Sequence, residues 1–338
     1  MMLRWLRQLL CIVATLGVCA PADAEEPPLV LGIFYEGCEH TCEGFRDGIA
    51  RSDLDAVVKI HEINQDKSRL PGLVQEARTS GADLVLTFGT SVTLGIVGTL
   101  DDDDNVRYLT DIPVIFTLVA DPFGTRIAER FEASGRKNVT GTFNRVPEAV
   151  NVEIIRQYDP TFDTLGLLYN SNEPNSLAKL NELREVAPTL GIELVALEID
   201  PGADDTPDPA EIPLRMAELR ERGVEWVYLG SSSFLRVNGA IFTASAVENG
   251  IAVVSPYESL VREQQALLSI AAQRYDVGLL AADQAVKILR DGVSPGDLPI
   301  VRAMEFAYVV NMDVAKTLDR FPPISFLQVA ETVSSSGR

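Results

Sequence analysis

The chain alternates short apolar runs with longer stretches in which apolar residues recur at helical spacing. The short runs are apolar at nearly every position, which is typical of strands buried on both faces of a parallel sheet. In the first part of the chain, the predicted strands cover 29–35, 56–63, 83–88 and 112–119. The predicted helices between them cover 42–51, 68–80 and 91–100.

The same alternation begins again after Gly141. The predicted strands of this second set cover 163–170, 192–199, 224–230 and 251–256, and its predicted helices cover 175–190, 209–222 and 233–249. A glycine follows each of these helices directly, as is common where a helix ends. Repeated strand–helix units indicate an α/β fold with right-handed crossovers. Two successive sets predict two similar, Rossmann-like lobes.

The first residues have the pattern of a secretory signal peptide, which we predict to cover 1–24. Two arginines precede the apolar stretch 9–18, which is shorter than the roughly 20 residues of a membrane-spanning helix. Ala22–Ala24 matches the small-residue cleavage pattern, so the mature chain would begin at Glu25 and be exported to the periplasm. Lipoprotein processing at Cys19 is the alternative, but the valine before it is large for such a site.

Length and charge limit the classes of function. The chain has 338 residues and a formal net charge of −20 at pH 7. Two domains are therefore expected, and nucleic acid is an unfavourable partner because its phosphates are neutralised by lysine and arginine. A further helix at 275–290 is expected to pack on the first lobe. The predicted domains are 25–142 with about 265–298, then 143–264 with about 299–333, followed by a disordered tail at 334–338.

Polar and aromatic residues follow most of the predicted strands. Ligands of open α/β sheets bind beyond the carboxyl ends of the strands, so these loops are the candidate site. Hydroxyl and amide side chains at helix starts cap free N–H groups, and the same N–H groups attract carboxylate or phosphate. Each residue alone could be a helix cap, but together they predict a ligand-binding rim. The candidates are Tyr35, Glu36, Thr90, Ser91, Asp121, Asn170, Asn175, Ser176, Ser232, Ser233 and Tyr257, with Tyr275 as a further aromatic residue that could stack on a ligand.

The sequence offers little for catalysis. Its only histidines are His40 and His61, and no nucleophile–base pair, zinc-protease motif or phosphate-binding loop is visible. The glycine-rich loops also lack the dinucleotide-binding fingerprint. We therefore predict no catalytic residues, no cofactor and no metal.

The stretch 34–45 contains Cys38 and Cys42, the two cysteines outside the predicted leader. Four residues apart at a helix start, they can lie within disulfide distance, and a bond there would hold the first loop rigid. Three alternatives remain: a metal site with His40 and nearby glutamates, a redox pair, or free thiols. We predict the structural disulfide.

Several of these loops resemble one known family. The strings "FGTS", "NVTG", "YNSNEPNS" and "DLPI" occur in this order. In that order they resemble the ABC-transporter substrate-binding proteins of the tryptophan-binding type, over about residues 28–322. The resemblance implies a type I periplasmic-binding-protein fold, with two lobes joined by a hinge that close on a ligand. It also implies a non-enzymatic, monomeric protein that delivers a small organic ligand, an amino acid or aromatic compound, to a membrane permease and its ATPase. The alternative is a periplasmic sensing module for a membrane receptor or histidine kinase.

The resemblance adds Asn144, Gln273 and Asp276 to the candidate ligand-binding residues. It also reveals departures, because the family often carries acidic residues where this chain has Asn144, Gln273 and the pair Ser232–Ser233. A ligand's ammonium group would then have to be met by other carboxylates. Glu36, Asp121 and Asp276 are the candidates for that role.

Overall fold

The structure is a computed structural model that describes residues 26–35, 37–38, 40–64, 66–102, 105–202, 207–230 and 232–334. The predicted signal peptide and nearly all of the predicted C-terminal tail lie outside these residues. The candidate ligand-binding residue Glu36 also lies outside them.

The first part of the chain builds five parallel strands and three helices. In chain order these are β1 (Leu29–Phe34), α1 (His40–Arg51), β2 (Val57–Glu62), α2 (Leu70–Thr79), β3 (Leu84–Phe88), α3 (Thr90–Val97), β4 (Val114–Thr117) and β5 (Val139–Phe143). The middle strands β1, β3 and β4 are buried along almost their whole length. That burial explains their unbroken apolar pattern, because helices cover both faces of a parallel sheet.

The second part repeats the pattern on a larger scale. In chain order its elements are α4 (Glu148–Tyr158), β6 (Thr164–Tyr169), α5 (Pro174–Leu190), β7 (Glu193–Glu198), α6 (Glu211–Glu221), β8 (Trp226–Tyr228), α7 (Ser233–Val237), α8 (Gly239–Glu248), β9 (Ala252–Ser255), α9 (Glu258–Arg262) and β10 (Leu268–Ala272). Helix α5 ends as predicted at Gly191, which adopts the left-handed conformation with φ of 62°.

The remaining elements return to the first sheet and then to the second. They are α10 (Arg274–Leu289), β11 (Val301–Arg302), β12 (Phe306–Asn311), α11 (Met312–Thr317), α12 (Ile324–Leu327) and β13 (Glu331–Val333). The six-stranded sheet has the order β11-β5-β4-β3-β1-β2, and the seven-stranded sheet has the order β13-β12-β10-β9-β8-β6-β7. All pairs are parallel except β10 with β12. We call each sheet with its helices a lobe.

The chain passes between the two sheets three times. The first crossover is 144–147, between β5 and α4. The second is at Gln273, between β10 and α10, and the third is 303–305, between β11 and β12. Two lobes joined by three crossovers form the predicted α/β architecture of a type I binding protein.

Sheet membership differs from the predicted boundaries near the C-terminus. Strand β10 pairs with β9 and β12, so residues 268–272 belong to the second sheet rather than to the first lobe. The return to the first lobe spans 274–302 and includes β11, whereas the prediction ended it near 298. The apolar pattern "LLSIAA" (267–272) fits a strand in either sheet, because the sequence of a buried strand does not specify which strand it pairs with.

Strand β5 was not predicted, because its sequence, VTGTF, is small and polar. The structure gives the reason for the glycine in it. A Cβ on Gly141 would lie 2.5 Å from ring atoms of Phe116 on the neighbouring strand β4. The missing side chain leaves room for that ring, and the strand is identified by its pairing rather than by its pattern.

Helices α1 and α10 are packed unusually close through small residues. A Cβ on Gly44 would lie 2.0 Å from the carbonyl oxygen of Tyr275, and a Cβ on Gly278 would lie 2.1 Å from that of Thr41. A Cβ on Gly48 would lie 2.4 Å from Ala282. The contact fixes the start of α10, just after the second crossover, onto the first lobe as the sequence predicted.

Candidate functional site

The three crossovers bring together the carboxyl ends of the strands in both sheets. The first crossover leaves the carboxyl end of β5, the second leaves that of β10, and the third leaves that of β11. Strand β12 runs antiparallel to β10, so its first residue also lies at this edge. The two edges therefore border one cleft, which is where open α/β sheets bind ligands.

An apolar cluster forms the floor of this cleft. The buried members of this cluster lie beside the second and third crossovers and are Ala272, Val277 and Ala303. Leu280 and Phe306, from the same region, pack on them, and so does Leu118 from the first lobe. Leu118 follows β4 in the first lobe and has a φ of 51°, a left-handed conformation that leucine rarely adopts. The loop after β4 is thus turned so that an apolar side chain from the first lobe reaches the crossovers.

On the first lobe, the start of α3 presents Thr90 and Ser91 at the edge. The helix follows Gly89, whose φ of 87° makes the sharp turn out of β3. The hydroxyl oxygen of Thr90 accepts a hydrogen bond from the N–H of Ala120 at 3.3 Å, which joins the loops after β3 and β4. Ser91 is half-buried. Free N–H groups in the first helical turn suit an anionic ligand group.

Two other candidates on this lobe have different surroundings. Tyr35 is half-buried and packs against the lobe's core at the end of β1. Asp121 is engaged in its own turn, where its Oδ1 accepts from the N–H of Gly124 at 2.8 Å and its carbonyl accepts from the hydroxyl of Thr125 at 2.6 Å. The carboxylate of Asp121 therefore stabilises its own loop, a role that the sequence did not predict.

On the second lobe, Asn170 and Ser176 hold the loop between β6 and α5. Asn170 is 2% exposed, and its N–H donates to the hydroxyl of Ser176 at 2.9 Å. Its side-chain oxygen accepts from the N–H of Asn172 at 3.0 Å. Asn175, in the first turn of α5, is exposed. Of these three candidates, Asn175 is the one whose side chain is open to the cleft edge.

The loops after β8 and β9 are also largely occupied by capping. The hydroxyl of Ser232 accepts from the N–H of Leu235 at 3.1 Å and so caps α7, while Ser233 is exposed. Tyr257 donates its hydroxyl to the carbonyl of Gly230 at 2.7 Å and is half-buried. Burial raises the pKa of Tyr257, so the phenol stays protonated and can donate.

The candidates at the first two crossovers differ in their exposure and in their hydrogen-bond partners. Asn144 is half-buried in the first crossover, and Gln273 is exposed in the second. Tyr275 lies on the flank of the first lobe, where its hydroxyl donates to Asp47 at 2.7 Å and accepts from Arg51 at 2.8 Å. The stacking role predicted for Tyr275 must therefore compete with these two bonds to α1. Asp276, next to it, is half-exposed in the first turn of α10.

Four charged side chains, two of them buried, form a network where the first crossover enters the second lobe, and sequence reasoning missed it. Lys179 and Glu148 are both 2% exposed and pair directly. Lys179 also lies 3.1 Å from Glu182, which accepts from Arg145 at 2.5 Å. Burial opposes ionisation of Glu182, but Lys179 and Arg145 together outweigh it, so the pKa of Glu182 lies below its usual value.

The aromatic side chain beside this network is Tyr228, at the end of β8. The ammonium group of Lys179 lies 5.4 Å from the centre of its ring, within cation–π range. Burial raises the pKa of Tyr228 well above its usual value. The sequence analysis did not single out Tyr228, which lies within a predicted strand.

Glu173, at the start of α5, is a second residue that the sequence did not single out. One carboxylate oxygen, Oε1, accepts from the N–H of Phe234 at 2.9 Å. The other, Oε2, is buried and has no hydrogen-bond partner among the described residues. Glu173 belongs to the "YNSNEPNS" string, between residues that were predicted to bind a ligand. It directly precedes the proline at which α5 begins.

The cysteines form the predicted disulfide. Cys38 and Cys42 are bonded, with their Cα atoms 5.2 Å apart. The N–H of Cys38 donates to Glu62 at 3.2 Å, which ties the loop after β1 to the end of β2. Within the residues that the structure describes, no group of three or more histidine, cysteine, aspartate or glutamate side chains could hold a metal ion.

Loss of this disulfide should weaken the first lobe by a modest amount. A Cys38→Ser/Cys42→Ser variant is expected to lose about 2 kcal/mol of unfolding free energy, because the closed loop is short. Urea unfolding measures the loss. A phosphine reductant should lower the midpoint of the wild type to that of the variant and leave the variant unchanged. An unreduced wild type that reacts with two equivalents of a thiol reagent would contradict the bond.

Among the described residues, no helix is both long and apolar enough to cross a bilayer.

Comparison with protein families gives a match over most of the chain. Residues 33–333 match the family model described as ABC transporter substrate binding protein. A curated tyrosine-binding protein from Clostridioides difficile (strain R20291) is 26% identical over 209 residues. The match covers 62% of this chain and 57% of that relative, so it spans less than two thirds of the relative's length.

Solved structures with the same fold include substrate-binding proteins. The ligand-free, open structure of a substrate binding protein with adhesive properties from Clostridium difficile has a TM-score of 0.78 and 21% identity, covering 91% of this chain and 99% of that one. A Streptococcus pneumonia protein in complex with L-Trp has a TM-score of 0.65 and 21% identity, covering 90% and 100%. At these identities the likeness establishes the fold.

Proposed function

The chain belongs to the family of ABC transporter substrate binding proteins, and from that membership we propose that it binds an aromatic amino acid in the cleft and delivers it to a membrane permease. The protein would be exported by its signal peptide, act in the periplasm as a monomer, and leave the ligand chemically unchanged. The observation that carries the proposal is the cleft itself, bordered by the strand ends of both lobes and crossed three times by the chain.

The residues at the two edges suit a zwitterion with an aromatic side chain. The first turn of α3, with Thr90 and Ser91, can receive a carboxylate. Tyr35 and Tyr257 offer partly exposed rings, and aromatic rings stack favourably on one another. The names of the relatives point to the same class, since one binds tyrosine and another was solved with L-Trp. Asn175, Ser233, Gln273 and Asp276 remain open to add polar contacts.

Binding would work by closure of the lobes about the crossovers. A ligand shifts the open–closed equilibrium only by as much as it prefers the closed form, so it must contact both edges. The apolar floor around Leu118 and Phe306 lies at this hinge and would stay packed as the lobes move.

Calorimetric titration of the purified protein tests the proposal. L-tyrosine, L-tryptophan and L-phenylalanine are expected to bind with micromolar or tighter affinity, whereas L-arabinose should give no heat. Small-angle X-ray scattering should show a smaller radius of gyration when the amino acid is bound. Absence of heat with all three amino acids would overturn the proposed ligand class. An unchanged scattering curve despite binding would overturn closure.

A further inference from the structure

We propose that Glu173 is the residue that holds the ammonium group of the ligand. The inference rests on the proposed function and deepens it, because it names a partner for the ligand's ammonium group, a role for which the sequence offered only Glu36, Asp121 and Asp276. The candidates Asn144, Gln273, Ser232 and Ser233 carry no charge.

The position of Glu173 is at the edge of the cleft on the second lobe. It lies between the end of β6 and the first turn of α5. Through Oε1 it accepts the N–H of Phe234 at the start of α7, so it joins the loops that follow the neighbouring strands β6 and β8. One oxygen of the carboxylate is thus bonded to the protein, which leaves the other as the oxygen that a ligand would use.

The second oxygen is the observation that points to a ligand. Oε2 of Glu173 is shielded from solvent and accepts no hydrogen bond from the residues that the structure describes. Such an atom costs about 1–3 kcal/mol, and more when it is charged. Buried polar atoms in folded proteins almost always have a partner, so an orphan of this kind requires a reason. A ligand donor would supply the missing bond.

Glu173 has no direct ion partner among the described residues, although the guanidinium of Arg236 lies nearby, 6.0 Å from the centre of the Tyr257 ring. Within the described part of the chain, Glu173 forms no salt bridge, whereas the nearby Glu148 and Glu182 are both paired with Lys179. Arg145 and Arg236 are close enough to act on the phenol of Tyr257, as Glu173 itself does. Arg145, however, is committed to Glu182. A cation brought by the ligand would be the direct counter-ion of Glu173.

Glu173 is accessible to such a cation. The residue as a whole keeps part of its surface exposed, although Oε2 itself does not. The terminal torsion of a glutamate is soft, so a small rotation brings Oε2 to the surface of the edge. Of the other rim carboxylates, Asp121 is already bonded within its turn. Across the cleft, the start of α3 would take the carboxylate of the same ligand.

A Glu173→Gln variant tests the assignment through a comparison of paired ligands. Glutamine keeps the oxygen that accepts from Phe234 and removes the charge. Titrations would use L-tyrosine, L-tryptophan and L-phenylalanine beside their deaminated analogues, the 4-hydroxyphenyl, indolyl and phenyl propanoates. We expect the variant to lose about 10- to 100-fold in affinity for the amino acids, as for a bond to a charged group. Its affinity for the analogues should stay within about threefold.

A Glu185→Gln variant is the matched control. Glu185 lies on the same helix, is exposed, and differs from Glu173 in being away from the cleft edge. Its replacement removes the same charge and should leave both classes of ligand unaffected. The urea midpoint of Glu185→Gln should match that of the wild type, and that of Glu173→Gln should be no lower, because the unpaired charge has been removed.

The outcomes separate this inference from the proposed function. Equal losses for amino acids and analogues in Glu173→Gln would make Glu173 a structural cap of α7 and overturn the inference. A variant that prefers the amino acids over their analogues by the same factor as the wild type would also overturn the inference, while the proposed function stands. A wild type that binds the analogues as tightly as the amino acids would show that no ammonium is held, and one that binds no probe would overturn both proposals.

Discussion

Replacing Gly44 with alanine is expected to disrupt the packing of the first lobe. The added methyl group would lie 2.0 Å from the carbonyl oxygen of Tyr275, far inside any allowed contact. The obstacle is backbone on a neighbouring helix, so no side chain can rotate away to relieve it. Helices α1 and α10 must separate, and we expect a loss of about 3 kcal/mol or more of unfolding free energy. Urea unfolding followed by circular dichroism measures it.

Gly72→Ala provides the matched control for this prediction. Gly72 is also inside a helix, α2, but a Cβ there would meet no atom within 4 Å. Alanine should therefore stabilise the protein by about 0.4–1 kcal/mol, since it restricts the unfolded chain and favours the helix. Similar unfolding midpoints for the Gly44 and Gly72 variants would show that the helices are not in this close contact.

The second large effect is expected at the buried ion pair. Replacing Lys179 with methionine keeps most of the side-chain volume but removes the direct ion partner of the buried Glu148, which retains the hydrogen bond from the amide of Asn151. Breaking a buried pair by removing one partner costs about 3–5 kcal/mol. We expect the urea midpoint to fall accordingly, with the loss concentrated in the second lobe.

Removing both charges should restore most of that stability. In Lys179→Met/Glu148→Leu no charge of the pair remains, and apolar replacements of buried pairs are often neutral. The double-mutant cycle then gives the coupling between the two residues. As a surface control, Arg222→Met breaks a pair with Glu218 whose partners are 54% and 31% exposed, and should cost under about 1 kcal/mol. A single Lys179 variant no weaker than this control would contradict the prediction.

The sequence predicted well the strands that have apolar runs, and these include the partly exposed β2 and β7. Strands β1, β3, β4 and β9 appear within a few residues of their apolar runs, because a helix-covered parallel sheet demands apolar residues on both faces. Strand β5 was not predicted, since the reason for its Gly141 is the ring of Phe116 on the neighbouring strand. The sheet membership of β10 depends on a partner strand distant in sequence, which local pattern does not specify.

The candidate ligand-binding residues remain predictions, but the structure shows their local roles. Sequence reasoning put the rim at the strand ends, which the three crossovers bring together. It could not tell a residue that shapes a loop from one that faces a ligand, and Ser232, Asn170 and Ser176 are engaged in capping and loop bonds. Whether any of them also contacts a ligand remains a prediction. Conversely, Lys179 and Glu173 look like ordinary helix residues until burial and partners are known.

The close contact of α1 and α10 has a consequence for how the protein is made. Arg51 and Tyr275, which bond across this contact, are 224 residues apart in the chain. A polypeptide that emerges from the ribosome N-terminus first must hold α1 with its glycine face bare until the second lobe has almost been synthesised. A nascent chain stalled before residue 274 lacks α10, so its first lobe should stay protease-sensitive.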